Sequence, residues 1–274
     1  MSEELVDNAF FTDAMNFSFS NIGTFEQCAY AWYLTYIEMK ERIGNWYSDF
    51  GNLCHDIMEK YVAGEIDIFN LTDYFVEQYP IYVTSSEPPF PKGIATRYYD
   101  EMIEFFDNLD FDRNEHQVVA VEKFISIIIG EVSVIAKPDL VYVKDGKTIL
   151  LDYKTSKPFK QNGKIDEKKI AEYSKQLLLY TYILKEVSDI KIDLLQLWFL
   201  RYNELVTVPF TDEDVQRTID EFLQNVDKIK NATEYPPSND KKHEFFCQTL
   251  CSVSSNCEFK PEYVPKYLKE FIPE

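Results

Sequence analysis

The sequence predicts an α/β fold in which a mixed sheet is flanked by helices. Residues 117–154 are rich in β-branched side chains, and Gly130-Glu131 and Asp145-Gly146 interrupt them with hairpin turn signals. Helical periodicity precedes this region and returns at 168–185 and 212–231. Strands that alternate with helices in this way favour a sheet covered on both faces.

The expected elements follow in order along the chain. A helix is expected from Ser20-Asn21, where the serine can act as a cap, through residue 36, and a second from about 47 to 62. Residues 64–114 are typical of a helical insertion, broken at 87–91 by three prolines. The expected strands span 118–129, 132–143, 148–154, 192–200 and 205–210. We find no internal repeat and no linker, so one domain over 1–274 is expected.

Composition sets the class of protein. The chain has 274 residues, of which 45% are hydrophobic, and this is enough for a substantial core. No apolar run is long enough to cross a bilayer. The acidic start, Met-Ser-Glu-Glu-Leu-Val-Asp, lacks the positive charge of a signal peptide. We therefore expect a cytoplasmic protein without a membrane partner.

The net charge of −19, from 28 basic and 47 acidic residues, argues against a nucleic-acid partner. Phosphate binding rests on lysine and arginine. The lysines are not evenly spread, however, and seven of them crowd 154–175. Lys157, Lys160 and Lys164 are therefore candidates for binding nucleic acid, and a solvated loop is an equally good interpretation.

Acidic and basic residues at the ends of two predicted strands point to a catalytic site. Asp139 follows the apolar run 132–136, and Asp152-Tyr153-Lys154 closes the run 148–151. Carboxylates suit hard divalent cations such as Mg²⁺ or Mn²⁺. A neighbouring lysine can orient an attacking water or offset charge on a phosphate. This is the pattern that a metal-dependent phosphodiesterase needs.

Four motifs carry a resemblance to a known family. They are Gly51-Asn52-Leu53-Cys54-His55, Lys137-Pro138-Asp139-Leu140-Val141, Leu151-Asp152-Tyr153-Lys154-Thr155 and Gln176-Leu177-Leu178-Leu179-Tyr180. They resemble the G-x-x-x-H, G-x-x-D, D-x-K-T and Q-x-x-x-Y motifs of the PD-(D/E)xK nuclease superfamily. Within the superfamily they resemble the branch that contains the RecB and AddB nuclease domains and the CRISPR-adaptation nucleases. Each motif alone is weak, but four in the correct order are hard to reach by chance. The resemblance implies a restriction-endonuclease-like fold.

The resemblance also implies a role for each residue. The implied ligands of Mg²⁺ or Mn²⁺ are His55, Asp139, Asp152 and the backbone carbonyl of Tyr153. Lys154 would position the nucleophilic water. Gln176 and Tyr180 would border the site, where they contact the nucleic-acid backbone or orient Lys154. Glu122 is either a group near the metal or an exposed strand charge, and the sequence favours neither.

The cysteines suggest a second metal site. Cys247-x₃-Cys251-x₅-Cys257 is a compact set in a polar segment, and four thiolates suit an iron–sulfur cluster or zinc. Cys28 is the expected fourth, because residues 19–28 resemble the N-terminal cysteine segment of AddB-type iron–sulfur nucleases. That resemblance implies a 4Fe-4S cluster that clasps the domain ends, with Zn²⁺ as the rival. The first gap is one residue longer than in the family's C-x₂-C-x₅-C pattern. Cys54 is expected to be a core residue.

These expectations converge on one function. The resemblance implies a DNA exonuclease that acts on single strands or ends in recombination, repair or replication. The chain has no G-x-x-x-x-G-K-S/T motif, so any motor would come from a separate helicase or recombination protein. Two alternatives stay open. One is a non-catalytic nucleic-acid- or protein-binding module of a recombination or replication complex, and the other is an RNA-directed nuclease.

Overall fold

A computed structural model describes residues 12–88, 91–238 and 243–261. Its centre is a five-stranded sheet. The strands in spatial order are β1 (Gln117–Val121), β4 (Leu140–Lys144), β5 (Lys147–Lys154), β6 (Leu194–Phe199) and β7 (Glu204–Val208). The β5–β6 pair is parallel and the other neighbours are antiparallel, so the sheet is mixed. A separate hairpin pairs β2 (Ile125–Ile129) with β3 (Val132–Ala136).

Seven helices of the described residues lie before, between and after the strands of the sheet. They are α1 (Phe19–Gln27), α2 (Ala29–Tyr36), α3 (Trp46–Ala63), α4 (Leu71–Tyr82), α5 (Ile94–Asp107), α6 (Glu167–Ser188) and α7 (Asp212–Lys230). The helix α6 connects the parallel strands β5 and β6, which need a crossover of this kind. Within the described ranges, none of the helices has the length and apolarity needed to span a bilayer.

The sheet is buried on both faces. In β5, Leu150 packs in one apolar cluster with residues of α6 and α7. Ile149, Leu151 and Tyr153 alternate with it and pack in a second cluster with α3, α4 and α5. This alternation is expected of a strand whose side chains point to opposite faces. The predicted fold class, a mixed sheet flanked by helices, is confirmed.

The three-stranded meander that the sequence predicts is wrong. The expected strand 118–129 breaks at Glu122, whose φ of 45° no extended strand can accommodate. The expected strand 132–143 breaks at Lys137-Pro138-Asp139, because proline has no N–H to donate to a ladder. The chain therefore divides this region between two sheets. Pro89 and Phe90 of the predicted break at 87–91 lie outside the described residues.

The single helix expected from Ser20-Asn21 to residue 36 is also wrong. The chain forms α1 and α2 instead, with Cys28 between them in an extended conformation. The N–H of Cys28 donates to the Thr24 carbonyl, and its Sγ accepts the Ala31 N–H at 3.4 Å. Cys28 is thus the last cap of α1 and the first cap of α2. Its Sγ also accepts the Ser238 N–H, which joins it to the C-terminal segment.

Candidate active site

The antiparallel register of β4 and β5 brings the two predicted carboxylates together. Leu140 pairs with Leu151, so Asp139, one residue before Leu140, lies beside Asp152. Both side chains are buried. Asp139 Oδ2 accepts the Tyr153 N–H at 2.7 Å, so the end of β5 fixes this carboxylate directly. The part of Tyr153 in this contact is its N–H, and the ligand role of its carbonyl stays a prediction.

The helix α3 delivers His55 to these carboxylates. His55 Nδ1 lies 3.4 Å from Asp139 Oδ2. One helical turn earlier, a Cβ at Gly51 would lie 3.6 Å from the Thr155 hydroxyl, so α3 passes close to the end of β5. Ligand atoms of His55, Glu122 and Asp139 all lie within 4.8 Å of one another. One imidazole and two carboxylates in this arrangement fit a divalent cation such as Mg²⁺ or Mn²⁺.

Glu122 reaches this set through the break in the predicted strand. Its N–H donates to the Asp139 carbonyl at 3.1 Å, and its carboxylate forms an ion pair with Lys137. The left-handed backbone at Glu122 turns the chain out of the main sheet at this point. Such a conformation is uncommon for a residue other than glycine and is often found at functional sites.

Asp152 and Lys154 form an ion pair that is linked to α6. Lys154 Nζ lies 2.7 Å from Asp152 Oδ2 and donates to Gln176 Oε1 at 3.4 Å. The Gln176 side-chain N–H donates to the Tyr180 hydroxyl at 3.1 Å. Gln176 and Tyr180 are one turn apart on α6, so one helix face orients the lysine.

Tyr173, which the sequence analysis missed, also holds Lys154. The lysine Nζ lies 4.7 Å from the centre of the Tyr173 ring, within range of a cation–π interaction. The Tyr173 hydroxyl is 3.0 Å from the Ser156 hydroxyl, within hydrogen-bond distance, so this contact holds the ring in place against Lys154. Its position three residues before Gln176, on the same helix face, is a signal that could have identified it.

Burial and charge give the two carboxyls opposite pKa shifts. Burial raises the pKa of Asp152 to about 6, although Lys154 opposes the rise. Burial acts on Asp139 in the same direction, but His55 and the Tyr153 N–H outweigh it and hold the pKa below its usual range. For His55, burial would lower the pKa, but the Asp139 carboxylate raises it by more. Titratable groups with divergent shifts are typical of catalytic sites.

Arg201 is a second residue that the sequence analysis missed. Its side chain is 1% exposed, its Nε donates to the Thr155 carbonyl at 2.6 Å, and it forms an ion pair with Glu101 of α5. The guanidinium carbon lies 3.2 Å from the centre of the Tyr98 ring. Arg201 therefore ties the helical insertion to the residue that follows Lys154. A lone arginine in Leu-Arg-Tyr gave no signal of this.

The predicted DNA-binding lysines lie on an ordered loop next to the site. We call residues 157–164 the basic loop; Lys157, Lys160 and Lys164 are all exposed on it. The Lys160 N–H donates to the Lys164 carbonyl at 2.8 Å, and the Lys169 ammonium donates to the Lys157 carbonyl at 2.9 Å. The loop begins three residues after Lys154, so its charges stand beside the site.

The four predicted cluster cysteines lie around one cavity. Cys28, Cys247, Cys251 and Cys257 line it together with apolar side chains. Cys28 Sγ accepts the N–H groups of Ala31 and Ser238, each at 3.4 Å. Burial raises the pKa of Cys251 to about 11, and the other three thiols add to the rise because they are close. Cys54 lies elsewhere, fully buried in the core beneath the insertion.

The segment around Cys251 also holds the start of α3. The Ile43 N–H donates to the Ser252 carbonyl at 2.7 Å, and the Asn45 side-chain N–H donates to the Leu250 carbonyl at 3.2 Å. Asn45 is the residue that caps α3. The helix that carries His55 is thus anchored to the cysteine segment.

Comparison with known proteins identifies the family. A profile of the PD-(D/E)XK nuclease superfamily matches residues 16–258. The chain belongs to this superfamily. Pro138-Asp139 and Asp152-Tyr153-Lys154 supply the residues for which the superfamily is named. The PD-(D/E)XK nucleases usually use divalent metals, and the His55, Glu122 and Asp139 set is a possible site for one.

One solved structure shares the fold at low sequence identity. The crystal structure of a candidate exonuclease from Eubacterium rectale aligns over 98% of this chain and 97% of that one, with 13% identity and a TM-score of 0.51. The structure of a protein named SSO0001 aligns over 81% of this chain and 89% of that one, with 15% identity and a TM-score of 0.32, too low to bear on the fold. No curated protein matched the chain.

Proposed function

We propose that this PD-(D/E)XK nuclease is a divalent-metal-dependent deoxyribonuclease that removes nucleotides from single-stranded DNA or from DNA ends. The observation that carries the proposal is the set of His55, Glu122 and Asp139 ligand atoms within 4.8 Å, beside the Asp152–Lys154 pair. A divalent ion at this set would polarise the phosphate and activate water. Asp152, a predicted ligand that is not part of this set, would join it from the neighbouring strand.

The protein's own groups have clear tasks in such a reaction. The Lys154 ammonium can donate a hydrogen bond to the attacking water and offset charge on the phosphate. The ammonium group is oriented by its hydrogen bond to Gln176 Oε1 and by its contact with the Tyr173 ring. The Tyr153 N–H fixes the Asp139 carboxylate. Orientation of this kind is the main contribution that a protein makes to phosphoryl transfer.

Two observations support an end-directed activity. The Eubacterium rectale protein is described as a candidate exonuclease, and the RecB- and AddB-like motifs point the same way. We propose a role in DNA recombination, repair or replication in the cytoplasm, with a separate helicase or recombination protein as partner. We also propose one nuclease domain over 1–274, since Arg201 joins the insertion at 64–114 to the sheet.

A cleavage assay tests the activity. The purified protein is mixed with linear and circular single-stranded DNA, duplex DNA and RNA of matched sequence, in Mn²⁺, Mg²⁺ or EDTA. We expect metal-dependent loss of linear single strands and none of the circles. Lys154→Met should abolish cleavage, whereas Lys168→Met, at an exposed position on α6, should not. Cleavage in EDTA, or by folded Lys154→Met, would contradict the proposal, and cleavage of RNA in preference to DNA would change its substrate.

We further propose that Cys28, Cys247, Cys251 and Cys257 hold a 4Fe-4S cluster. The extra residue before Cys251 is compatible with this, because Phe246–Leu250 forms a π-helical turn. A π-helical turn holds one residue more than an α-helical turn. The two N–H groups on Cys28 Sγ would stabilise a thiolate.

The resemblance of Cys28 and the C-terminal trio to the cysteines of AddB-type iron–sulfur nucleases supports the cluster over Zn²⁺. In a cluster each of the four thiolates binds a different iron, whereas a single zinc ion would take all four.

Metal analysis after anaerobic purification tests the cluster. We expect a brown protein with about four irons and four sulfides per chain. Cys28→Ser should remove the colour, and Cys54→Ala, which removes a buried thiol elsewhere, should keep it. A colourless protein with one zinc per chain would establish the rival metal.

A further inference from the structure

Phe124 is an exposed aromatic residue in the connection between β1 and β2. It is 64% exposed and belongs to none of the apolar clusters that the described residues form. Ile128, 72% exposed, lies four residues further along, with the exposed Ser126 between them. Neither β2 nor the sheet needs the ring for packing, since Ile125 and Ile129 already bury the inner face of the strand.

Phe124 lies close in the chain to the candidate metal site. It follows Glu122 by two residues, so the two Cα atoms are at most about 7 Å apart. The left-handed turn at Glu122 directs the chain here, and the Glu122 N–H donates to the Asp139 carbonyl. The backbone that carries Phe124 is therefore anchored two residues away by a contact between two candidate metal ligands.

Lysines accompany the ring at this corner of the chain, although Glu59 also lies near Glu122 and Lys137. Lys123, the neighbouring residue, is exposed. Lys137, whose side chain is 55% exposed, pairs with Glu122 from the opposite strand end. An aromatic face beside ammonium groups is the arrangement that proteins use to hold single-stranded nucleic acid, with lysines near phosphates and rings against bases.

We infer that Phe124 stacks on an unpaired nucleobase next to the phosphate that is cleaved. This inference rests on the proposed nuclease activity and specifies its substrate. Inside a duplex both faces of a base are covered by its neighbours, and at a duplex end only the outermost pair has an open face, so the ring favours an unpaired base. A protein partner is disfavoured, because stable protein interfaces bury about 800 Å² on each side, and this surface is small and flanked by lysines.

An abasic scan tests the stacking. Linear single strands of one sequence carry a single abasic nucleotide at successive positions from the cleaved end. For the wild-type protein, one position should lower kcat/KM roughly tenfold, the typical effect of one lost base–aromatic stack. Phe124→Ala should lower kcat/KM roughly tenfold on the intact strand, with no further loss at that abasic position. Phe124→Trp should behave like the wild type.

Controls separate this inference from the activity on which it rests. Phe69, on the insertion, is 92% exposed, and Phe69→Ala should leave kcat/KM unchanged on both the intact and the abasic strands. Equal losses by Phe124→Ala on intact and abasic strands, or no loss on either, would overturn the stacking while the nuclease assignment stands. Binding is read separately with 2-aminopurine at the same position in the inactive Lys154→Met protein. Quenching that persists after Phe124→Ala also refutes the stacking.

Discussion

Asp152→Asn should increase stability while it abolishes nuclease activity. The buried Asp152 carboxyl has a pKa of about 6 in the folded protein, against its ordinary value of 3.8. Because the folded state holds this proton more tightly than the unfolded chain, stability falls as pH rises from about 4 to 6. The full difference is about 3 kcal/mol, at about 1.4 kcal/mol per pKa unit. Asparagine, which resembles the neutral carboxyl, avoids this loss.

The increase should depend on pH. From the two pKa values, Asp152→Asn should raise the free energy of unfolding by about 3 kcal/mol at pH 8 and by roughly half as much at pH 5. Urea denaturation in EDTA measures both values, with the midpoint and slope fitted at each pH. An increase that is the same at both pH values, or a loss at both, would refute the reasoning.

Asp139→Asn is the matched control with the opposite sign. The pKa of Asp139 is held low and that of His55 is raised by their contact, so the pair stabilises the folded protein. The His55 part of this stability is present below pH 6.5 and is lost as pH rises through its raised folded pKa. Asp139→Asn should therefore destabilise the protein, and more at pH 5 than at pH 8.

Three further predictions concern the residues around the site. Tyr173→Leu should lower kcat severalfold in the cleavage assay and Tyr173→Phe much less, because phenylalanine keeps the ring against Lys154; equal losses would show that the hydroxyl matters instead. Glu at all three lysines of the basic loop should weaken DNA binding and flatten its salt dependence without changing the unfolding midpoint, as measured by fluorescence titration; unchanged binding would place the DNA elsewhere. Arg201→Met should lower the free energy of unfolding by about 1.5–3 kcal/mol, because it removes the charged hydrogen bonds to Glu101 and to the Thr155 carbonyl and leaves Glu101 only Arg97 as an ionic partner; a change below about 1 kcal/mol would contradict this.

Local sequence signals predicted what depends on local chemistry. The helix at 168–185 and the strand at 148–154 have strong periodicity, and they differ from α6 and β5 by a few residues at most. The breaks at Glu122 and Cys28 were missed, because a left-handed turn at glutamate and a thiol as a helix cap depend on tertiary partners.

In the candidate site, too, residues that belong to local motifs were predicted, and residues placed by tertiary contacts were not. The motif residues His55, Asp139 and Lys154 converge because the register of two strands and one helix brings them together. Arg201 and Glu122 had no motif to mark them. Their positions follow from the path of the chain after a strand ends, which a one-dimensional pattern does not contain.

The hydrogen bond between Asn45 and the Leu250 carbonyl joins residues 205 positions apart. Contacts of such long range form late, because the loop must close before they contribute. On the ribosome, the helix that carries His55 leaves the exit tunnel long before its anchor is synthesised. The start of this helix can therefore be anchored only after Leu250 has emerged, and a product truncated before that residue would lack a fully anchored His55.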